Sequence, residues 1–217
     1  CRSGWMWVGP KIANPDLGPE QIDNYEIGGT FRLTGTLSFS PSFYYAKGKD
    51  FLYYVATGEK MWGKRDIFQR RNISKVDVKG IEADLNYTPV NNLKINLNYS
   101  YNDAKIKDFK EQPELNDKLL TYAPKHQVKG YILWTGGIVD AMFRGRYKSK
   151  QYTSEDNSTA IKGFAIWDAQ LSKWLFRHRL YVSGEIINIF NNRHMNTKEY
   201  MSAGRLMNIK LAVNINR

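Results

Sequence analysis

The stretch "LKINLNYSYN", residues 93–102, decides the fold. Leu93, Ile95, Leu97, Tyr99 and Tyr101 alternate with Lys94, Asn96, Asn98, Ser100 and Asn102. Side chains of a β-strand point to opposite faces every second residue, so this segment has one oily face and one polar face. The pattern recurs in "IVDAMFRGRYK" (138–148), where Val139, Ala141, Phe143, Gly145 and Tyr147 oppose Asp140, Met142, Arg144, Arg146 and Lys148. It recurs again in "LMNIKLAVNIN" (206–216), where Met207, Ile209, Leu211, Val213 and Ile215 oppose Asn208, Lys210, Asn214 and Asn216. No helical period competes. Strands are expected near 24–34, 36–55, 75–88, 93–104, 122–135, 138–150, 161–174, 179–190 and 203–216, with a partial strand at 5–9.

The connections alternate in length. Short ones fall near Thr34-Gly35, at "PVNN" (89–92), at Gly136-Gly137 and at "LFRH" (175–178); long ones occupy 56–74, 105–121, 151–160 and 191–202. An antiparallel up-and-down meander does this when its two ends face different compartments. Several expected strands reach ten residues or more, the span of a lipid hydrocarbon core when tilted. Rows of Asn, Lys, Arg, Asp and Ser do not make a dry core, so the opposite face carries the apolar surface, and lipid is its natural cover. Tyr87, Trp134, Trp167, Trp174, Tyr53 and Tyr54 crowd near strand ends, where girdles at the lipid–water boundary belong. A soluble sandwich or lipocalin-like barrel would bury the same residues inside, but it accounts poorly for strand length and loop asymmetry. The fold expected is all-β: about 9–10 strands of an antiparallel transmembrane barrel.

No apolar run is long enough for a membrane-spanning helix, and the mean hydropathy of -0.55 accords with strands that interleave polar and apolar residues. The single cysteine, Cys1, offers no internal disulfide and no metal spacing, and the chain is expected to begin inside a longer one. The formal charge of +11 raises nucleic-acid binding as an alternative, but cations and aromatics mostly alternate to opposite faces or gather in loops, so no nucleic acid is expected. Glu82, Asp84, Arg144, Arg146, Asp168 and Lys210 read as polar residues of a wet wall rather than as paired acids and bases. His126, His178 and His194 lie in separate segments with neither triad order nor ligand spacing; beside Met195, His194 leaves haem contact conceivable. No enzyme activity, metal or cofactor is expected.

Two segments are candidates for recognition. In the loop 57–74, Lys60, Lys64, Arg65, Arg70 and Arg71 outnumber Glu59 and Asp66, with Trp62 and Phe68 interleaved. Such groups at an outer mouth suit an anionic chelate such as a ferric siderophore, through charge-assisted hydrogen bonds and stacking. They equally suit the phosphates of lipopolysaccharide, or solvent alone. The second segment is "NPDLGPE" (14–20), stiffened by Pro15 and Pro19. It reads either as a ligand-contacting loop or, preferably, as a rigid piece that sets the register of the following strand.

Asn14, Pro15, Asp16, Leu17, Pro19 and Glu20, followed by "YEIGG", resemble the extracellular stretch of the TonB-dependent outer-membrane receptors. Further pieces are similar to that family in order: "VKGIEADLNY" (78–87), "NYSYNDAKI" (98–106), "YAPKHQVKGYILW" (122–134), "INIFNNRHM" (187–195) and "AGRLMNIKLAVNI" (203–215). Two positions depart from its pattern: Gly18 stands where a basic residue is common, and Arg217 ends a strand that normally closes on an aromatic. The resemblance implies that residues 1–217 are the carboxyl-terminal part of a 22-stranded barrel, with the amino-terminal plug outside this chain. It implies import of a scarce ligand across the bacterial outer membrane, energised through TonB contacting that plug. Expected partners are the plug and remaining strands, outer-membrane lipid and lipopolysaccharide, and a small chelate. An iron chelate is the leading ligand; cobalamin, haem or a glycan, and a passive porin or outer-membrane enzyme barrel, are the alternatives.

Overall fold

The computed structural model describes residues 10–110 and 112–215; the expected strand at 5–9, Cys1 and Arg217 lie outside them. Nine principal strands stand in the sheet in chain order. They are β1 (Gln21–Gly28), β2 (Leu37–Met61), β3 (Arg65–Val90), β4 (Leu93–Lys107), β5 (His126–Thr135), β6 (Asp140–Lys148), β7 (Phe164–Leu175), β8 (Leu180–Ile187) and β9 (Leu206–Val213). Each is antiparallel to the one before it. Among the described residues the only helical turn is a 3-10 turn at Pro113–Leu115.

The register sorts the two faces as the alternation requires. Ile95, Ile132, Phe143 and Ala169 stand in one row across β4 to β7, and Asn96, Tyr131, Arg144 and Asp168 form the neighbouring row on the other face. Leu97, Phe143 and Leu211 are 45%, 39% and 66% exposed, so the apolar face is not a protein core. It is the surface that lipid covers. The polar face lines the interior. Gly80 shows how closely that wall is fitted: Tyr44 crosses over it to donate a hydrogen bond to Asn102 at 3.3 Å, and a Cβ on Gly80 would lie 2.4 Å from the tyrosine oxygen.

What core exists is at the end carrying the long connections, which is the extracellular end of such a barrel. Val55, Ile106, Phe109 and Leu115 form a buried cluster against which Tyr53 and Leu120 pack. The register places Ile106 opposite buried Val76 on the interior face, so the segment after β4 folds inward over the mouth.

Several expected boundaries shift for identifiable reasons. Residues 57–74 are not a loop: β2 and β3 continue as a paired ladder to Met61 and Arg65 and turn over residues 62–64. From Lys47 to Met61 this hairpin runs on the order of 40–50 Å along the strand beyond the lipid-facing rows. The strand expected at 24–34 stops at Gly28, and Phe31–Arg32 resumes pairing after a glycine pair. The strand expected from 122 starts at His126, just past Pro124, which has no N–H to give a ladder. The 151–160 and 191–202 loops contain short paired strands of their own, Gln151–Tyr152 with Ala160–Ile161 and Met195–Thr197 with Tyr200–Met201.

The long hairpin has an irregularity near the membrane boundary. Gly48 pairs with Val76, Phe51 with Ser74 and Leu52 with Asn72, so each strand carries one extra residue. Asp50 takes a φ of 58°, and the Phe51 ring lies over Gly48. Below this bulge even-numbered β2 residues face the interior; above it the odd-numbered Tyr53 and Val55 do.

Candidate functional site

The extracellular end is assembled from the segment before β1, the β2–β3 hairpin and the connections that follow β4, β6 and β8. The β2–β3 hairpin is its tallest part. Beyond the end of β4, the edge of β3 is open, and Lys11–Ile12 fills it in parallel with Phe68–Gln69. From there the chain crosses the hairpin to reach β1, on the face carrying Tyr54, Arg70 and Asn72. Asn14 Nδ2 donates to the Arg70 carbonyl at 2.9 Å, and its Oδ1 accepts from the Asp16 N–H at 3.1 Å. Gly18 N–H donates to Asn72 Oδ1 at 2.8 Å, while Asn72 Nδ2 donates to the Gly18 and Asp50 carbonyls. Glu20 Oε1 accepts the Leu52 N–H at 2.9 Å. Pro15, Asp16, Leu17 and Pro19 hold the shape between these anchors. The segment 14–20 is thus a strap on the hairpin face turned away from the interior.

The seven residues expected to contact a ligand do not gather on one surface. Phe68 and Arg70 belong to the outward face, where the Tyr54 ring lies 4.0 Å from Lys11 Nζ and 4.9 Å from the Arg70 guanidinium carbon. A hydrogen bond with Lys11 holds the Tyr54 hydroxyl below its ordinary pKa against the opposing effect of burial, with the charges of Arg70 and Lys11 adding to the lowering. Arg71 takes the opposite, inward face beside Tyr53, its Nε donating to Gln69 Oε1 at 3.1 Å. Lys60, Trp62, Lys64 and Arg65 are at the tip, with Trp62 82% exposed.

Sequence reasoning missed the inward cap. Phe109 is buried, its N–H donates to Asn116 Oδ1 at 2.8 Å, and its ring lies 5.8 Å from that of Tyr53. Asn157, from the 151–160 loop, clasps Leu119 with both amide groups: Leu119 N–H donates to Oδ1 and Nδ2 donates to the Leu119 carbonyl. Burial pushes the Tyr53 hydroxyl up to about 12, reinforced by Glu155 and Glu20, and burial raises the Glu155 carboxyl as well. The only signal available was a buried-type aromatic, Phe109, amid charged neighbours.

The interior wall below is a polar lattice. Arg144 bridges Glu185 and Asp168. Buried Asp168 accepts the Asn188 N–H at 2.9 Å, and Asn188 holds the turn "NIFNN" by bonding both backbone groups of Asn192. Asp84 takes hydrogen bonds from Asn86 and Asn96. These side chains are committed to one another, an arrangement suited to a rigid wet wall and not to proton transfer. The histidines are scattered: His126 sits in the aromatic belt with Tyr99 and Tyr101, and His178 lies beside Trp174 at the far turn. His194 is packed on Phe164 and bonded to Ser202, so it is no bare loop residue. Among the described residues no group of acids, cysteines and histidines could hold a metal.

Residues 5–189 match the family model described as TonB dependent receptor-like, beta-barrel. Over 199 residues the chain is 24% identical to the vitamin B12 transporter BtuB of Photobacterium profundum, covering 88% of this chain and 30% of that protein. It superposes on BauA, the ferric preacinetobactin receptor of Acinetobacter baumannii, with a TM-score of 0.70 at 18% identity, covering 89% of this chain and 29% of that one. The FrpB iron transporter of Neisseria meningitidis (F3-3 variant) gives 0.70 at 18% identity, with 93% and 32% covered. These likenesses establish the fold, and the chain spans about a third of the length of each relative. With the family model matched over most of its length and the two-faced meander beneath, the chain belongs to the TonB-dependent receptor β-barrel family of the bacterial outer membrane.

Proposed function

We propose that this chain is the carboxyl-terminal wall and part of the outer mouth of an active transporter that imports an iron chelate, a ferric siderophore foremost. In this reading a plug outside residues 1–217 fills the barrel and takes energy from TonB, and the chain's own share is capture and enclosure of the ligand. The observation that carries the reading is the long hairpin, which holds aromatic and cationic groups far above the lipid on a strapped, paired ladder. Trp62 at the tip and Arg71 on the inward face offer stacking and charge-assisted hydrogen bonds to an anionic chelate. No catalytic step is assigned. Cobalamin is the second reading, favoured by the likeness to a vitamin B12 transporter.

The test uses the full-length receptor as the sole uptake route in whole cells, supplied with labelled ferric siderophores or labelled cobalamin. Siderophore-dependent, TonB-dependent iron uptake is the expected result; cobalamin uptake alone would replace the iron reading. Uptake independent of TonB would favour a passive porin. Replacing residues 58–66 with a two-residue turn should weaken ligand binding about tenfold or more while the barrel stays inserted. Unchanged affinity would remove the tip from the site.

A further inference from the structure

The charges of the interior wall are sorted by strand. Two neighbouring rows cross β2 to β6 on that face: Ser40, Asp84, Asn98, Lys129 and Arg146, and above them Ser42, Glu82, Ser100, Gln127 and Lys148. Acids stand on β3, uncharged amide and hydroxyl groups on β4, and bases on β5 and β6. Adjacent strands are about 4.8 Å apart, so about 10–14 Å of sheet separates the acids from the bases. Asp84 is in any case taken by Asn86 and Asn96.

Lys129 and Arg146 stand directly opposite each other, and both are exposed toward the interior. Like charges so placed repel. Two residues below Arg146 the wall neutralises its own cation, because Glu185 and Asp168 bracket Arg144. Lys129, Arg146 and Lys148, by contrast, make no ion pair and no side-chain hydrogen bond among the described residues. Their counter-charge therefore comes from within the barrel.

The wall is hollow at this place. A depression of about 340 Å³ is lined by Asn96, Lys129, Tyr131, Arg144, Arg146 and Asp168, a volume in the range of small-molecule pockets. Lys129 and Arg146 belong to its upper row, and Asn96, Tyr131 and Arg144 to the lower. Eight residues of β4, from Ile106 to Asn98, separate this level from the cap, about 25 Å along the strand. A small chelate held at the mouth does not reach it.

We infer that the hollow is a second anion-binding station, occupied by the chelate after it has left the mouth. Lys148 meets the anion first, Lys129 and Arg146 grip its carboxylate or phenolate oxygens, and the Tyr131 ring stacks on it. The inference rests on the proposed import of an anionic iron chelate. It adds the side of the barrel along which that cargo descends: β5 and β6, and not β3, whose Glu82 and Asp84 repel it.

The full-length receptor in whole cells, supplied with a labelled ferric siderophore bearing carboxylate or catecholate groups, tests this. Binding is read in cells lacking TonB and uptake in cells that have it. Lys129→Gln with Arg146→Gln should slow uptake about tenfold and leave binding within about twofold, because the pair acts after capture. Lys129→Arg keeps the charge and should keep uptake, and Glu82→Gln should alter neither quantity. Parent-rate uptake by the double variant would overturn the station, as would Lys129→Arg or Glu82→Gln being equally slow. An equal loss of binding would also overturn it, by placing the pair at the mouth. So would a lowered heat-modifiable transition, which would show that the two cations neutralise a resident carboxylate of the plug. A parent that imports cobalamin alone defeats the iron reading and the station together; siderophore uptake indifferent to the double substitution defeats the station only.

Discussion

At the scale of single residues, the wall is sensitive where backbone and side chain approach most closely. Gly80 has Tyr101 O at 2.3 Å and Tyr44 Oη at 2.4 Å from where a Cβ would stand, and one of those neighbours is backbone. Gly80→Ala must therefore push β3 from β4 or displace Tyr44. A cost of about 1–3 kcal/mol follows from such overpacking. The full-length receptor should lose its heat-modifiable mobility at a lower temperature; an unaltered transition would show that the wall absorbs a methyl group there. Asn188 is a second sensitive point, 2% exposed, at a φ of 58°, and bonded to both backbone groups of Asn192. Asn188→Ala strips those bonds and places alanine in left-handed backbone, costing about 1–3 kcal/mol. Limited proteolysis should then cut within 188–202 faster than in the parent, and equal rates would refute the turn's dependence on this amide.

At the scale of elements, the two ends of the hairpin explain what the sequence could and could not reveal. Alternation marked every membrane-spanning strand, because lipid on one side and water on the other force a period of two. Above the membrane both faces meet water or protein, so the ladder through Lys60 and Arg65 needs no oily stripe and reads as a loop. The same reasoning covers the strap: "NPDLGPE" was legible as rigid, but its partners Arg70, Asn72 and Leu52 are distant in sequence. The expected ligand set is divided between two faces, because Arg70 and Arg71 are adjacent in the strand and so point to opposite sides. The cap is an element with its own stability. Phe109→Ala should raise amide exchange across residues 105–120, at a local cost of about 3 kcal/mol, while β5 to β8 stay protected. If exchange in the cap does not change, Phe109 is not its anchor. Glu155 adds a pH dependence. Burial raises its pKa in the packed loop, so the packed form binds the proton more tightly than the opened one. Loop packing is therefore strongest below the ordinary glutamate value and weakens as pH rises through the raised one. Protection of residues 151–160, corrected for intrinsic exchange, should fall across that window, and Glu155→Gln should flatten the profile.

At the scale of the whole molecule, the nine strands form a wall with two open margins. The outer edges of β1 and β9 pair with nothing among the described residues. In lipid each unpaired backbone group costs several kcal/mol, so the sheet requires further strands on both sides. The isolated 217-residue chain, refolded in detergent, should show no heat-modifiable band and should aggregate; a stable compact band would mean that these strands can close on themselves. The bulge near Asp50 carries a different consequence. It separates the hairpin into two halves whose inside and outside are assigned independently, one odd-numbered and one even-numbered. Deleting one residue above that bulge, with the bulge itself kept, would turn Tyr53 and Val55 toward the exterior and strip the cap of its floor, without moving any side chain that touches acyl chains. The surfaces above that joint can thus change phase while the embedded lattice beneath keeps its own.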